Sequence, residues 1–172
     1  MKKSAVKLAR AAIIAALYAV LTVVTAPISY GSVQFRIAEC LCILAFFYDE
    51  AVVGLTIGCV IANLFSPSSM LDVVLGSAAT FAACLLSNLC YKAIKNRVSG
   101  FIVGILFPIV INALVVPIAI ITVSPDEGSY IIVALQIAAG QAGVLLTAGV
   151  VLYVVLLKLL DKGILNKGIL KK

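Results

Sequence analysis

Five stretches of this 172-residue chain contain no charged side chain: Ala11–Gln34, Ala51–Leu71, Val73–Tyr91, Val98–Pro125 and Gly128–Leu157. Each meets or exceeds the roughly 18 residues that mark a candidate membrane-spanning helix. The composition agrees, with 64% hydrophobic and 12% charged residues and a mean hydropathy of +1.24. Soluble domains run close to about half apolar and a quarter charged, and a chain this short cannot hide such an excess in its own core. One membrane-embedded domain over residues 1–172 is the size-appropriate reading.

Between the first two stretches lies Ile37–Tyr48, apolar except for Glu39 and preceded by Arg36. Hydropathy leaves that segment undecided between five crossings and six, and positive charge settles it. Six crossings put Lys2, Lys3, Lys7, Arg10, Lys92, Lys95, Arg97, Lys158, Lys162, Lys167, Lys171 and Lys172 on one side, leaving Arg36 alone on the other. Five crossings would split the basic residues four against nine. The expected fold is therefore an all-α bundle of six transmembrane helices near 5–26, 33–48, 50–66, 70–94, 99–122 and 129–160, with both termini cytoplasmic. The net charge of +6 then anchors the inner leaflet and calls for no nucleic acid. The first span is too long for a signal-peptide core, so we expect no cleaved leader and no fused soluble domain.

The side-chain census narrows the chemistry. With no His, imidazole bases and His-ligated metals are excluded. Cys40, Cys42, Cys59, Cys84 and Cys90 show no C-x-x-C spacing and read as small buried hydrophobes. No Gly-rich phosphate cradle is present, so neither a catalytic residue, a metal nor a cofactor is expected in this chain.

Helices in lipid associate through small residues. Gly54, Gly58 and Ala62 form one such seam; Ala79, Ala83 and Ser87 another; Ala139, Gly143 and Thr147 a third. The first helix carries two adjacent ladders, Ala11, Ala15 and Ala19 beside Ala12 and Ala16. Spacing alone favours a packing seam there over a docking face.

Polar groups at membrane depth are costly and usually functional. In the six-span scheme Arg36, Glu39, Asn63, Asp72, Asn112, Gln136 and Gln141 fall at mid-depth or outside it, and Asn88 belongs to the inner half. That is the outline of a pocket open to the outside. Each residue also has a plain role: Arg36 and Glu39 as a self-satisfied pair, Asp72 as a helix cap, the amides as interhelical glue. Their shared depth favours a site. Two carboxylates, a guanidinium and several amides suit a small, flat molecule rich in N–H donors, such as a guanine-like ring.

The blocks Ala15–Leu21, Ala26–Gly31, Val33–Glu39, Gly58–Leu64, Leu71–Val74, Gly76–Thr80 and Asn112–Pro117 resemble the substrate-binding S components of energy-coupling factor (ECF) transporters. Within these they resemble the queuosine-precursor (QueT-type) family, the Gln34-Phe35-Arg36-Ile37-Ala38-Glu39 block most specifically. The resemblance implies a six-helix S component of the bacterial cell membrane that takes a deazaguanine, a queuosine precursor or queuine, from outside. It implies docking on a membrane coupling subunit served by two ATPase subunits, which alone would use ATP. Ala11, Ala15 and Ala19 become the expected partner face. Glu39 and Asp72 are expected to accept the ligand's hydrogens, with Arg36, Asn63, Asn112 and Gln141 completing the shell. One departure is Gln141, where the family tends to carry an acid. The rival readings are an S component for another vitamin-like molecule, an intramembrane enzyme using Glu39 and Asp72, and a ligand-free structural subunit.

Overall fold

The computed structural model describes residues 2–30, 34–66 and 69–163, and not the side chains of Lys2, Lys3 and Ser69. Lys167, Lys171 and Lys172, and the Gly31 and Val33 positions of the family blocks, lie outside the described residues. The described chain is all helical: α1 (Lys2–Val24), a one-turn α2 (Ala26–Ser29), a 3-10 helix (Ile37–Phe46), α3 (Asp49–Asn63), α4 (Ser69–Ala93), α5 (Arg97–Val123), α6 (Tyr130–Val144) and α7 (Val150–Asp161). A π turn, Leu145–Gly149, joins α6 to α7 in one rod. Four of these helical runs are long and apolar enough to cross a bilayer: Ser4–Val24, Met70–Ala93, Arg97–Val123 and Tyr130–Asp161.

Their outward faces are apolar as well. Leu106, Val110, Leu114 and Ile118 recur every four residues along α5, and Val53, Ile57 and Ile61 do so on α3, all well exposed. Continuous apolar stripes of that kind belong against lipid, not water.

The second segment differs from expectation. The sequence predicts an α-helix over 33–48; the chain instead forms a 3-10 helix over Ile37–Phe46, with Ala38, Glu39, Leu41, Cys42, Ile43, Ala45 and Phe46 all buried. Ten residues at about 2.0 Å rise reach roughly 20 Å, about a third further than an α-helix of equal length. The tighter helix also eclipses residues three apart, which stacks Cys42 on Glu39: the Cys42 thiol donates to Glu39 Oε2 at 3.2 Å.

The α1–α3 seam depends on glycine. A Cβ on Gly54 would stand 2.6 Å from the Ala11 carbonyl oxygen, and one on Gly58 would stand 2.7 Å from that of Ala15. Of the three residues expected as a partner face, Ala15 and Ala19 are only 6% and 8% exposed, and Ala11 is half-buried. Ala11 and Ala15 pack within the bundle, because it is their backbone that α3 approaches. The open ladder is the neighbouring one, Ala12 and Ala16.

Charged and aromatic groups gather at one end of the bundle. Arg10 pairs with Glu50 and lies over the Tyr48 ring, 4.3 Å from its centroid. Lys92 pairs with Asp49, and Arg97 with Asp161 at 3.7 Å. The hydrogen bond from Lys92, assisted by Asn88, holds the Asp49 carboxyl below its ordinary range against the opposing effect of partial burial. Inside this rim, Phe46 stacks on Tyr91 at 4.7 Å between centroids, and Phe101 lies against Tyr153 at 4.4 Å. Asn88 donates to the Ala45 carbonyl at 2.6 Å, a structural role.

Helix α5 runs through Pro108 and Pro117. Pro108 has no N–H for the Gly104 carbonyl four residues earlier, and the Ser87 hydroxyl of α4 takes its place at 2.7 Å. Ser87→Ala leaves that buried carbonyl unpaired, and should cost about 1–3 kcal/mol. Thermal unfolding of the purified variant would register this as a lowered midpoint; an unchanged midpoint would mean that Gly104 finds another donor.

Candidate functional site

At the opposite end three elements converge on a narrow cleft. The segment ahead of the 3-10 helix brings Gln34 and Arg36, and its first turn brings Glu39. Helix α5 contributes Asn112 and Val116, and α6 contributes Ile137 and Gln141. Each helical pair is four residues apart and so shares a face. The cleft measures about 220 Å³ with its open mouth counted. Val116 and Ile137 belong to an apolar cluster with Ile120 and Val133, which gives the cleft a greasy wall beside its polar one.

Glu39 is 1% exposed and held from three directions. The Tyr18 hydroxyl donates to Oε1, while the Cys42 thiol and Gln141 Nε2, the latter at 3.0 Å, donate to Oε2. A buried carboxylate needs donors of this kind to remain charged. Gln141 can supply one because it is an amide; an acid at this position would oppose Glu39.

Arg36 lies beside it with far weaker restraint. Its Nη2 is 3.8 Å from Asp72 Oδ2, its Nη1 is 3.9 Å from Cys59 Sγ, and its guanidinium lies 5.6 Å from the Tyr30 ring centroid. Nε and Nη2 are sealed from solvent and form no hydrogen bond among the described residues.

Asp72 and Asn63 stand behind Arg36 and do not line the cleft. Asn63 Nδ2 donates to the Asp72 carbonyl at 2.9 Å, and the Ser66 hydroxyl donates to Asp72 Oδ2 at 2.8 Å. Gly76 admits them both, since a Cβ there would lie 2.8 Å from Asn63 Nδ2 and 3.0 Å from Asp72 Oδ1. Thus the structure brings Arg36, Glu39, Asn112 and Gln141 together in one cleft and sets Asn63 and Asp72 as a layer supporting Arg36. Gln136, half-buried with an unpaired Oε1, is not part of the lining.

Four contributors escaped sequence reasoning. Val116 and Ile137 carry no polar signal. Tyr18 had one: it lies three residues after Ala15, on the inward face of α1, where a phenol needs a partner. Gln34 stands two residues before Arg36 at the same level, and its backbone is left-handed, with φ of 45°. That conformation is uncommon for a residue with a side chain and is typical of functional positions. Phe35 pins the segment to α6, where a Cβ on Gly143 would come within 3.1 Å of its ring.

The lining is rich in unmet hydrogen-bonding capacity. Gln34 and Asn112 are buried, and no side-chain hydrogen bond ties either of them down among the described residues. No group of three or more Cys, Asp or Glu suited to a metal occurs among the described residues. A buried cleft of amides, one carboxylate and one guanidinium thus lies within a helical bundle that has four helices long and apolar enough to cross a membrane.

Comparison with known proteins gives the particular family. Residues 8–158 match the family model described as QueT transporter, and the chain belongs to that family of membrane transporters; it is not an enzyme. It is 39% identical over 87 residues to the queuosine precursor transporter QueT of Lactococcus lactis subsp. cremoris (strain MG1363), a match covering 49% of this chain and 51% of the relative. The chain thus spans about half the length of the curated relative it matches. No solved structure matches it.

Proposed function

We propose that this chain is the substrate-capture subunit of an ECF-type importer, binding a queuosine precursor or a queuine-like deazaguanine at the outer face of the bacterial cell membrane. The observation that carries this reading is the cleft itself: Glu39, Arg36 and the amides of Gln34, Asn112 and Gln141, gathered where two of the amides make no side-chain hydrogen bond among the described residues. A guanine-type edge presents adjacent N–H donors beside an oxo acceptor. Its donors replace the Gln141 amide on Glu39, its oxo group meets Arg36, and Asn112 and Gln34 close the remaining polar edge. The enclosed part of the cleft has room for little more than one water, so the ring enters as Gln141 swings aside.

Six crossings with both termini cytoplasmic fit this role. The basic residues Arg10, Lys92 and Arg97 share the end with the ion pairs, and Arg36 stands at the other. The 15-residue α3 and the 3-10 helix, each roughly 20 Å long, are short crossings, the 3-10 helix largely buried among its neighbours. The partners in this reading are a membrane coupling subunit and two ATPase subunits, met through the open Ala12–Ala16 ladder of α1, whose small side chains permit close helix approach.

Uptake of a labelled deazaguanine by cells lacking their own route tests the reading. Cells carrying this chain with a coupling subunit and ATPases should accumulate it, and Asn112→Leu should reduce uptake at least tenfold while the protein stays in the membrane. Equal uptake by the variant, or accumulation of riboflavin, thiamine or biotin in its place, would overturn it.

A further inference from the structure

The cleft holds two charged side chains, and they differ in what they have left to give. Glu39 has both oxygens engaged, by Tyr18, Cys42 and Gln141. Arg36 has an edge without hydrogen bonds: Nε and Nη2 are both buried and form none among the described residues, Nη2 facing Asp72 at the long ion-pair distance of 3.8 Å. These two nitrogens form the side-on fork of the guanidinium, the geometry that grips two acceptor atoms at once. Its present contacts, at 3.8 Å to Asp72 and 3.9 Å to Cys59, are long enough to let the group turn towards an occupant of the cleft. Asp72 compensates its charge from behind, beyond the lining.

A buried fork with no hydrogen bond among the described residues calls for a planar pair of acceptors. In a purine the fork takes the oxo oxygen and the neighbouring ring nitrogen. A 7-deazaguanine has carbon at that ring position, so the second acceptor must come from the substituent on this carbon. An ammonium group there would face the guanidinium directly.

We propose that Arg36 selects among deazaguanines for those whose substituent beside the oxo group is itself a hydrogen-bond acceptor, a nitrile or a carboxylate, and against an aminomethyl cation. This rests on the function proposed above and adds to it the chemical class of the substituent. The neutral Gln141 acts in the same direction, because its lining position offers an ammonium group no carboxylate. Glu39 in this scheme reads the ring donors, and Arg36 reads the acceptor edge.

The test is a binding series on the full chain purified in nanodiscs, using 7-deazaguanine with hydrogen, nitrile, carboxylate or aminomethyl at the seven position. The nitrile or the carboxylate should bind at least tenfold more tightly than the aminomethyl compound; which of the two ranks first tells whether the acceptor is neutral or anionic. Arg36→Lys keeps the charge but loses the fork, and should bring the ratio to within about threefold. Aminomethyl binding as tightly as both acceptor compounds in the unaltered protein would overturn the inference, whether or not the variant folds. So would an unchanged ratio in a folded Arg36→Lys protein. If none of the four compounds binds, the proposed function itself falls, and this inference with it.

Discussion

Glu39→Gln is expected to weaken ligand binding by at least a hundredfold while leaving the empty protein as stable as before, or more so. The carboxylate is buried and accepts from Tyr18, Cys42 and Gln141, so ligand donors reach a charged oxygen only by displacing Gln141. Hydrogen bonds to a charged acceptor contribute about 1.5–3 kcal/mol each. Losing two of them costs about 3 kcal/mol or more, which is the stated factor. Removing the charge also removes its desolvation penalty, and this offsets the weaker internal bonds in the unliganded state. Thermal unfolding with and without a deazaguanine separates the two effects. In the unaltered protein a thousandfold excess of ligand over its dissociation constant adds about 4 kcal/mol, and the variant at the same concentration should show less than half of that. A variant stabilised as strongly as the parent would mean that the ligand does not engage Glu39.

Gly58→Ala is expected to act on both stability and the site, whereas Gly54→Ala should act on stability alone. At Gly58 the added Cβ meets the Ala15 carbonyl oxygen at 2.7 Å and Tyr18 Cβ at 2.8 Å. Neither is the loose end of a side chain, so α1 must move away from α3. Such overpacking costs about 1–3 kcal/mol. The shift also carries Tyr18, whose hydroxyl donates to Glu39, and ligand affinity should fall about tenfold. At Gly54 the contacts are with Ala11 and Ile14, further towards the charged end and away from Glu39. Similar losses of thermal stability with a drop in affinity for the Gly58 variant only would establish that α1 reaches the site through Tyr18. Equal affinities would refute that link.

The long spans were legible in the sequence because hydropathy over twenty or more residues is a strong signal, and α1, α4, α5 and the α6–α7 rod follow it closely. Local geometry was not. Nothing in Ile37–Phe46 distinguishes an α-helix from a 3-10 helix, and seven of its ten residues are buried in the folded chain. The π turn at Leu145–Gly149 is silent in the same way. The alanine ladders of α1 differ by one residue in register and are equally small. Which one faces inward depends on where Gly54 and Gly58 bring α3, so the sequence offered no means of choosing.

The site was read with similar limits. Depth in the membrane picked out Arg36, Glu39, Asn112 and Gln141, and these four do line one cleft. Depth also picked Asn63 and Asp72, because a layer behind Arg36 lies at the same level as a layer in front of it. Tyr18 was overlooked because a tyrosine near mid-helix looks like packing until its hydroxyl is seen to meet a carboxylate.

The most direct measurement of the central claim is equilibrium binding of a labelled deazaguanine to the purified chain alone, without coupling subunit or ATPases. The account predicts saturable binding of one ligand per chain, displaced by guanine-type analogues and abolished by Asn112→Leu in a protein that remains folded. Binding that appears only in the presence of the partner subunits, or that survives loss of the Asn112 amide undiminished, would contradict it.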